Sequence, residues 1–405
     1  MKRLLGVALG IVTSIGGFLE IGSITTAAQA GADYRYQLIW VIVLGAICIA
    51  LLVEMSGRFA AVSKHTIVDA MRERFGLHFF LVALILIFGV SILVMAAEIG
   101  GAAVSIEYIT GVHFPIWALP VGVLTWGLLW YGTFSVIENG VSMLGLITIA
   151  FAIAAWQLGP DWHALASGLA PSLPHKQPAH YWFIAVSILG ASVSPYLFYF
   201  YSSGAIEEKW DVTYLASNRA VAAIGMGFGG FLSIAVLVLA ALVFAPRGVS
   251  VDDYKQLPQL LTSPWARVGF LIFAGSLFIT CLGATAEIAL ALAYQIAQGF
   301  GWNWGEDLEP RADARFSLTY SGILLAATIL VVIGLDPLKL TTLSMALTAA
   351  SLPVAILPFL VLMNDQRYLG EHTNGWLGNL SILVVSIVAS VVAIVSIPLE
   401  IAGGS

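Results

Sequence analysis

The chain has 405 residues, of which 60% are hydrophobic and only 10% are Asp, Glu, Lys or Arg. A soluble domain carries about 25% charged residues, so a chain this apolar reads as a membrane protein with no separate soluble domain. The formal net charge of -6 argues against nucleic acid, which needs a basic face. The two cysteines, Cys48 and Cys281, fall inside apolar runs and read as buried small hydrophobes rather than a disulfide or a metal site.

The N-terminus begins Met1-Lys2-Arg3 and turns apolar, as a secretory signal does. The run continues past Gly16, Gly17 and Gly22 to about Ala30, however, and a second span follows almost at once. It is therefore read as a first transmembrane helix. Eleven spans are expected, at 8–31, 37–60, 79–108, 113–132, 138–157, 182–206, 219–246, 267–298, 317–334, 341–363 and 376–400. Most of them reach the ~20 residues that cross a hydrocarbon core. With Arg58 placed in the cytoplasm, the 17 basic residues divide 11 inside to 6 outside. The positive-inside rule then predicts a cytoplasmic N-terminus and an external C-terminus. Trp156, Trp162, Trp182, Trp265, Trp302 and Trp304 lie near span ends, as interface anchors do. Residues 61–78 form an amphipathic link, either lying on the membrane surface or simply connecting two helices. The external loop 247–266 is expected to hold local order over Asp252-Asp253-Tyr254.

Two spans carry corresponding interruptions. Span 1 reads Gly16-Gly17-Phe18-Leu19-Glu20-Ile21-Gly22-Ser23, and span 6 reads Gly190-Ala191-Ser192-Val193-Ser194-Pro195-Tyr196. Glycine weakens a helix, and proline removes a donor and clashes with the preceding turn. Unpaired backbone at membrane depth is tolerated only where it is buried or lines a cavity. Broken helices in corresponding positions of two halves point to a transporter site. The predicted architecture is all-α, with spans 1–5 (residues 1–157) and spans 6–10 (182–363) as two inverted repeats. Residues 158–181 form an external loop between them, and 364–405 carry a link, an eleventh helix and the external end.

Glu20 is the central candidate, because a carboxylate at mid-membrane is costly and usually faces a cavity or a partner. It is read as a cation or proton ligand, with a protonated helix–helix hydrogen bond as the alternative. Ser23 and Ser194 add hydroxyl oxygens, and an all-oxygen site suits Mg2+, Mn2+ or Na+. Glu98 and Glu287 are candidates for proton relay. Glu54 precedes Arg58 by four residues and is expected to pair with it, while Glu138 is read as structural. No histidine lies clearly at mid-span. Tyr196 and Tyr199, with Tyr201, either line and close the inner vestibule or pack within the bundle.

The ordered stretches AGADYRYQLIWV, AAEIGGAA, GASVSPY with YSSG, and LPVAILPFLVLMNDQRYLGEHTNG resemble the NRAMP family of divalent-metal transporters along most of the chain. The resemblance implies the LeuT-type fold and a metal site at the two breaks. Where typical members carry Asp-Pro-Gly-Asn, this chain has Glu20-Ile21-Gly22-Ser23. The family's Met-Pro-His appears as Ser194-Pro195-Tyr196, so the metal-binding thioether of that span is absent. Ala191 keeps the position whose backbone carbonyl binds metal. Tyr201 replaces a later histidine, Met95 replaces an aspartate linked to proton movement, Glu98 keeps the nearby glutamate, and Met345 stands where a glutamine is usual. The expected metal ligands are Glu20, Ser23, Ala191 and Ser194, with Tyr196 and Met345 completing the substrate site.

Loss of the thioether removes the donor that favours softer transition metals. Members adapted to Mg2+ also lack it. The expected function is secondary transport of a hard divalent cation, with weak transition-metal selectivity and weakened proton coupling. An organic cation or amine held by Glu20 and the span 6 aromatics is the alternative. No nucleophile–base–orienter set suggests an enzyme, and no cofactor is expected. The chain is expected to act as a monomer in a bacterial inner membrane.

Overall fold

The computed structural model describes residues 20–131, 146–174, 177–305, 308–311 and 313–402. Among them the secondary structure is entirely helical. The principal helices are α1 (Ile21–Tyr34), α2 (Ile39–Ser63), α3 (Ile67–Phe75), α4 (Leu77–Thr110), α5 (Phe114–Tyr131), α6 (Ile149–Gln157), α7 (Pro178–Ser192), α8 (Pro195–Glu207), α9 (Leu215–Val243), α10 (Gln259–Phe300), α11 (Ala314–Val332), α12 (Pro337–Met363) and α13 (Trp376–Ile401). Nine segments of the described residues are long and apolar enough to cross a membrane, with α7 and α8 together making one of them. The first half of span 1, the start of span 5 and Glu138 lie outside the described residues.

The helices surround the span formed by α7 and α8. Its most apolar stretch is 89% buried, against 28% in α5 and 33% in α13. The enclosed span packs on α1, α2, α10, α12 and α13, while α4 packs on α5, α10, α11 and α12. The outer helices turn large apolar side chains such as Ile85, Ile116 and Ile394 outwards, as a lipid-facing surface requires. α12 runs as one helix through Pro353 and Pro358. α10 is broken near its start, where Ala266 adopts φ 50° two residues after Pro264. That break sets its first turns apart from the spanning part that the sequence places at 267–298.

The amphipathic link resolves as a connector docked on protein. Thr66 caps α3 by accepting from the Asp69 N–H. Its buried residues Ile67, Val68, Ala70 and Met71 face α4, α10 and α12 rather than lipid. Asp253 caps a short 3-10 turn over Tyr254–Gln256 with a reciprocal capping box. The Tyr254 hydroxyl donates to Glu107 on α4, which gives the local order expected in that loop. Glu54 and Arg58 pair at 3.1 Å. Arg58 also donates to the His372 carbonyl and to Asn374, tying the segment before α13 to α2.

Two glycines let helices approach at the breaks. A Cβ on Gly190 would lie 1.8 Å from the Met345 carbonyl oxygen, and one on Gly22 would lie 2.3 Å from the Met345 side-chain methyl. Met345 is fully buried between Gly22 and Gly190. Gly190→Ala forces one backbone against another, and backbone gives less readily than a side-chain tip. The expected cost is about 3 kcal/mol, read as a drop in thermal stability in detergent. Gly204→Ala, on the same broken span but facing open space, is the control and should leave stability near wild type.

Candidate functional site at the two helix breaks

α7 ends at Ser192 and α8 begins at Pro195, with Val193 and Ser194 non-helical between them. Pro195 suits the first position of a helix because that position has no intrahelical use for an N–H. It also has no N–H to give to the carbonyl four residues back, that of Ala191. The break thus leaves a main-chain oxygen without its helical donor at the place where a cation would need one. On the facing side, Glu20 is extended at φ -106° and ψ 178° and precedes the first turn of α1. The first N–H groups of α1 therefore point into the same region.

Both carboxylates of the region are enclosed, Glu20 at 1% exposure and Glu98 at 0%. The Tyr196 hydroxyl donates to Glu20 Oε2 at 2.9 Å. The Ile21 N–H donates to Glu98 Oε2 at 3.5 Å. The second oxygen of each, Glu20 Oε1 and Glu98 Oε1, is buried without a hydrogen-bond partner. Glu98 lies within electrostatic reach of Glu20, and Tyr196 within reach of Glu20, Glu98 and Glu287. Among the described residues, neither Glu20 nor Glu98 forms an ion pair with Lys, Arg or His. Burying an unpaired charge is expensive. Such a pair is neutralised by a proton or by a cation.

The remaining candidates divide by position. Ser194 lies at the start of α8, where its hydroxyl donates to the Gly190 carbonyl at 3.4 Å. A narrow crevice beside it is lined by Ser194, Pro195 and Tyr196, by Ser91 of α4 and by Thr348 and Ser351 of α12. Ser23 and Ala191 are buried at the two breaks, and Met345 packs against Gly22. Glu287 is half-buried on α10. The Tyr199 hydroxyl donates to the Ala355 carbonyl at 3.1 Å and lies 3.6 Å from Met71 Sδ, so it ties α8 to α12 and α3. Tyr201 lies further along α8, with its ring on Trp210. Of the three span 6 tyrosines, only Tyr196 touches Glu20.

Cys281 departs from the small-hydrophobe reading. Its thiol lies against the Glu98 carboxyl and beside Gly101, whose missing Cβ leaves it room. The apolar run around Cys281 gives no sign of this, because the contact is made across two helices distant in sequence. Cys48 does lie buried in an apolar setting, as expected. Among the described residues, no three His, Cys, Asp or Glu side chains converge as a metal-binding group. A cation at the breaks would therefore rest on one or two carboxylates with main-chain and hydroxyl oxygens.

A family model described as natural resistance-associated macrophage protein-like matches residues 10–398. The chain belongs to this family. The divalent metal cation transporter MntH of Klebsiella pneumoniae subsp. pneumoniae is 25% identical over 397 residues, covering 92% of this chain and 89% of that protein. MntH of Aeromonas hydrophila is 24% identical over 373 residues, covering 88% and 87%. Among solved structures, the manganese transporter of Eremococcus coleocola superposes with a TM-score of 0.78 at 21% identity, covering 98% of this chain and 87% of that one. Mhp1, a nucleobase–cation symporter, superposes at 0.65 with 14% identity in a closed conformation, covering 96% and 91%. The chain thus has the all-α, multi-spanning fold of LeuT-type transporters, and its relatives are transporters rather than enzymes.

Proposed function

We propose that this protein is a secondary transporter of a divalent cation, working by alternating access, with Glu20 as the charged ligand at the junction of α1, α7 and α8. The observation that carries this reading is the enclosed Glu20–Glu98 pair, which has no basic partner among the described residues and a free oxygen on each carboxylate. Its relatives named as divalent metal cation and manganese transporters support the cation class. Ala191, Ser194 and Ser23 supply the neutral oxygens. Cys281 lies against Glu98, and Met345 packs against Gly22. An oxygen-dominated site favours a hard ion that keeps part of its water shell, which fits weak discrimination between Mn2+ and Mg2+.

In this reading, spans 1–5 and 6–10 are inverted repeats whose paired breaks meet at the site. The 11-to-6 division of basic residues supports an N-terminus inside and a C-terminus outside. The test is uptake of Mn2+ and of Mg2+ into proteoliposomes carrying an internal metal indicator. Uptake of both, each inhibiting the other at similar concentrations, is the expected result. Failure to move either ion removes the assignment.

Proton coupling is weak in the same reading. Tyr196, Tyr201 and Met95 stand where a resembling member has two histidines and an aspartate, and a phenol with an ordinary pKa of about 10 carries no exchangeable charge near neutrality. Glu20 cannot hold the cation and a proton on the same oxygen. Internal pH, followed during uptake with no imposed gradient, should stay flat while metal accumulates. Acidification in proportion to uptake would show that Glu20 or Glu98 carries protons with the metal.

A further inference from the structure

We propose that Asp33, His180 and Glu400 form a proton-operated latch that binds α1 and α7 to α13 at the end of the bundle remote from Glu20. The three side chains come from three different helices. His180 Nε2 lies 3.2 Å from Asp33 Oδ2 and His180 Nδ1 lies 2.8 Å from Glu400 Oε1. Both ring nitrogens therefore meet a carboxylate oxygen at hydrogen-bond distance.

A neutral imidazole has one N–H and one lone pair, and an ionised carboxylate only accepts. Neutral His180 can satisfy one of these contacts, and the other then sets lone pair against lone pair. Both are satisfied only when the cluster holds one further proton, on the second ring nitrogen or on a carboxyl. With that proton the cluster carries a net charge of -1, and without it two carboxylates face each other across a neutral ring. The contacts close the latch at acid pH, and loss of the proton loosens it as pH rises.

The surroundings hold the ring in place and keep it within reach of water. Among the described residues, the charged groups facing His180 are Asp33 from α1 and Glu400 from α13; the neighbouring titratable groups are the phenols of Tyr34 on α1 and Tyr181 on α7. The Tyr34 ring lies 6.0 Å from the imidazole and packs edge-on against Tyr181 at 5.0 Å. The Tyr34 hydroxyl donates to the Gln177 carbonyl. The side chains of Asp33, His180 and Glu400 are 15%, 26% and 28% exposed, open to proton exchange yet shielded enough for the contacts to hold.

Position gives the latch its consequence. Asp33 stands thirteen residues from Glu20 along α1, about 20 Å at 1.5 Å per residue. His180 stands eleven residues from Ala191 along α7, about 16 Å. Each half-helix thus holds the candidate site at one end and the latch at the other. α13 also packs along α7 and α12, so it provides a fixed anchor. Opening the latch frees the far ends of the two elements that carry Glu20 and Ala191.

The test uses the whole protein without cation, so its outcome is independent of the transport reading. Cysteines at the exposed positions 35 and 110 are spin-labelled by Arg35→Cys and Thr110→Cys. The native Cys48 and Cys281 are buried. Distances are measured by double electron–electron resonance at pH about 5.5 and about 8.5, on either side of the ordinary imidazole pKa of about 6.5. The expected result is one short population at the lower pH and a longer one growing in at the higher pH. His180→Gln should lose the pH dependence. Glu400→Gln should stay short at both values, because its amide supplies the hydrogen that neutral Nδ1 lacks. A distance that ignores pH in the wild type overturns the latch. So does a pH response that persists in His180→Gln, or a Glu400→Gln protein that opens as the wild type does.

Discussion

Glu20→Gln is expected to reduce Mn2+ and Mg2+ uptake into proteoliposomes by at least about 100-fold, which is the upper end of what loss of even an outer-shell metal partner costs. The amide keeps the shape of the side chain and a carbonyl oxygen for the Tyr196 hydroxyl to donate to. It removes the negative charge that offsets a divalent ion in an enclosed, low-dielectric place. The protein itself should not be weakened. Glu20 has no basic partner among the described residues, so the substitution strands no opposite charge and relieves the cost of burying its own. Detergent melting temperature is therefore expected to match or exceed wild type. The combination of lost uptake and retained stability identifies a ligand. Retained uptake would remove Glu20 from the site, and lost stability would make it a structural hydrogen-bonding group.

The sequence made the span 6 break legible because proline acts locally. Pro195 cannot donate to Ala191 in any fold, and α8 begins at Pro195 as its chemistry requires. Glu20 stood out for the same kind of reason, being a charge in an otherwise apolar span. Contacts between distant segments were not legible. Nothing around Cys281 marks it as a neighbour of Glu98, and nothing around Ile21 says that its N–H faces the same carboxyl. The three span 6 tyrosines looked alike in the sequence. Their different roles follow from which helix each meets: Tyr196 reaches Glu20, Tyr199 reaches α12 and α3, and Tyr201 lies on Trp210. Residues 67–75 were ambiguous because an amphipathic pattern records that one face is covered, not what covers it. Nothing around His180 marks its partners, since Asp33 and Glu400 lie 147 and 220 residues away.

Tyr196→Phe is expected to tighten cation binding by about 10-fold. A hydrogen bond to a charged group contributes about 1.5–3 kcal/mol, and the Tyr196 bond occupies Glu20 Oε2. A cation that engages both carboxylate oxygens must displace that hydroxyl, so part of its binding energy goes into breaking the bond. Phenylalanine keeps the ring packed in its buried position and leaves Oε2 free. About 1.4 kcal/mol recovered corresponds to the tenfold change, which calorimetry with Mg2+ would read directly. Tighter binding has a kinetic consequence. The same bond helps expel the ion, so half-saturation should fall while the maximal uptake rate falls with it. A double-mutant cycle isolates the cause: in a Glu20→Ala background, which leaves the Tyr196 hydroxyl no acceptor at that position, Tyr196→Phe should no longer change binding. Unchanged affinity in the single variant would mean that the cation leaves the Tyr196 bond intact and uses only Oε1. Weaker binding would make the Tyr196 oxygen itself a ligand. Either result would end the view of Tyr196 as an internal competitor for Glu20.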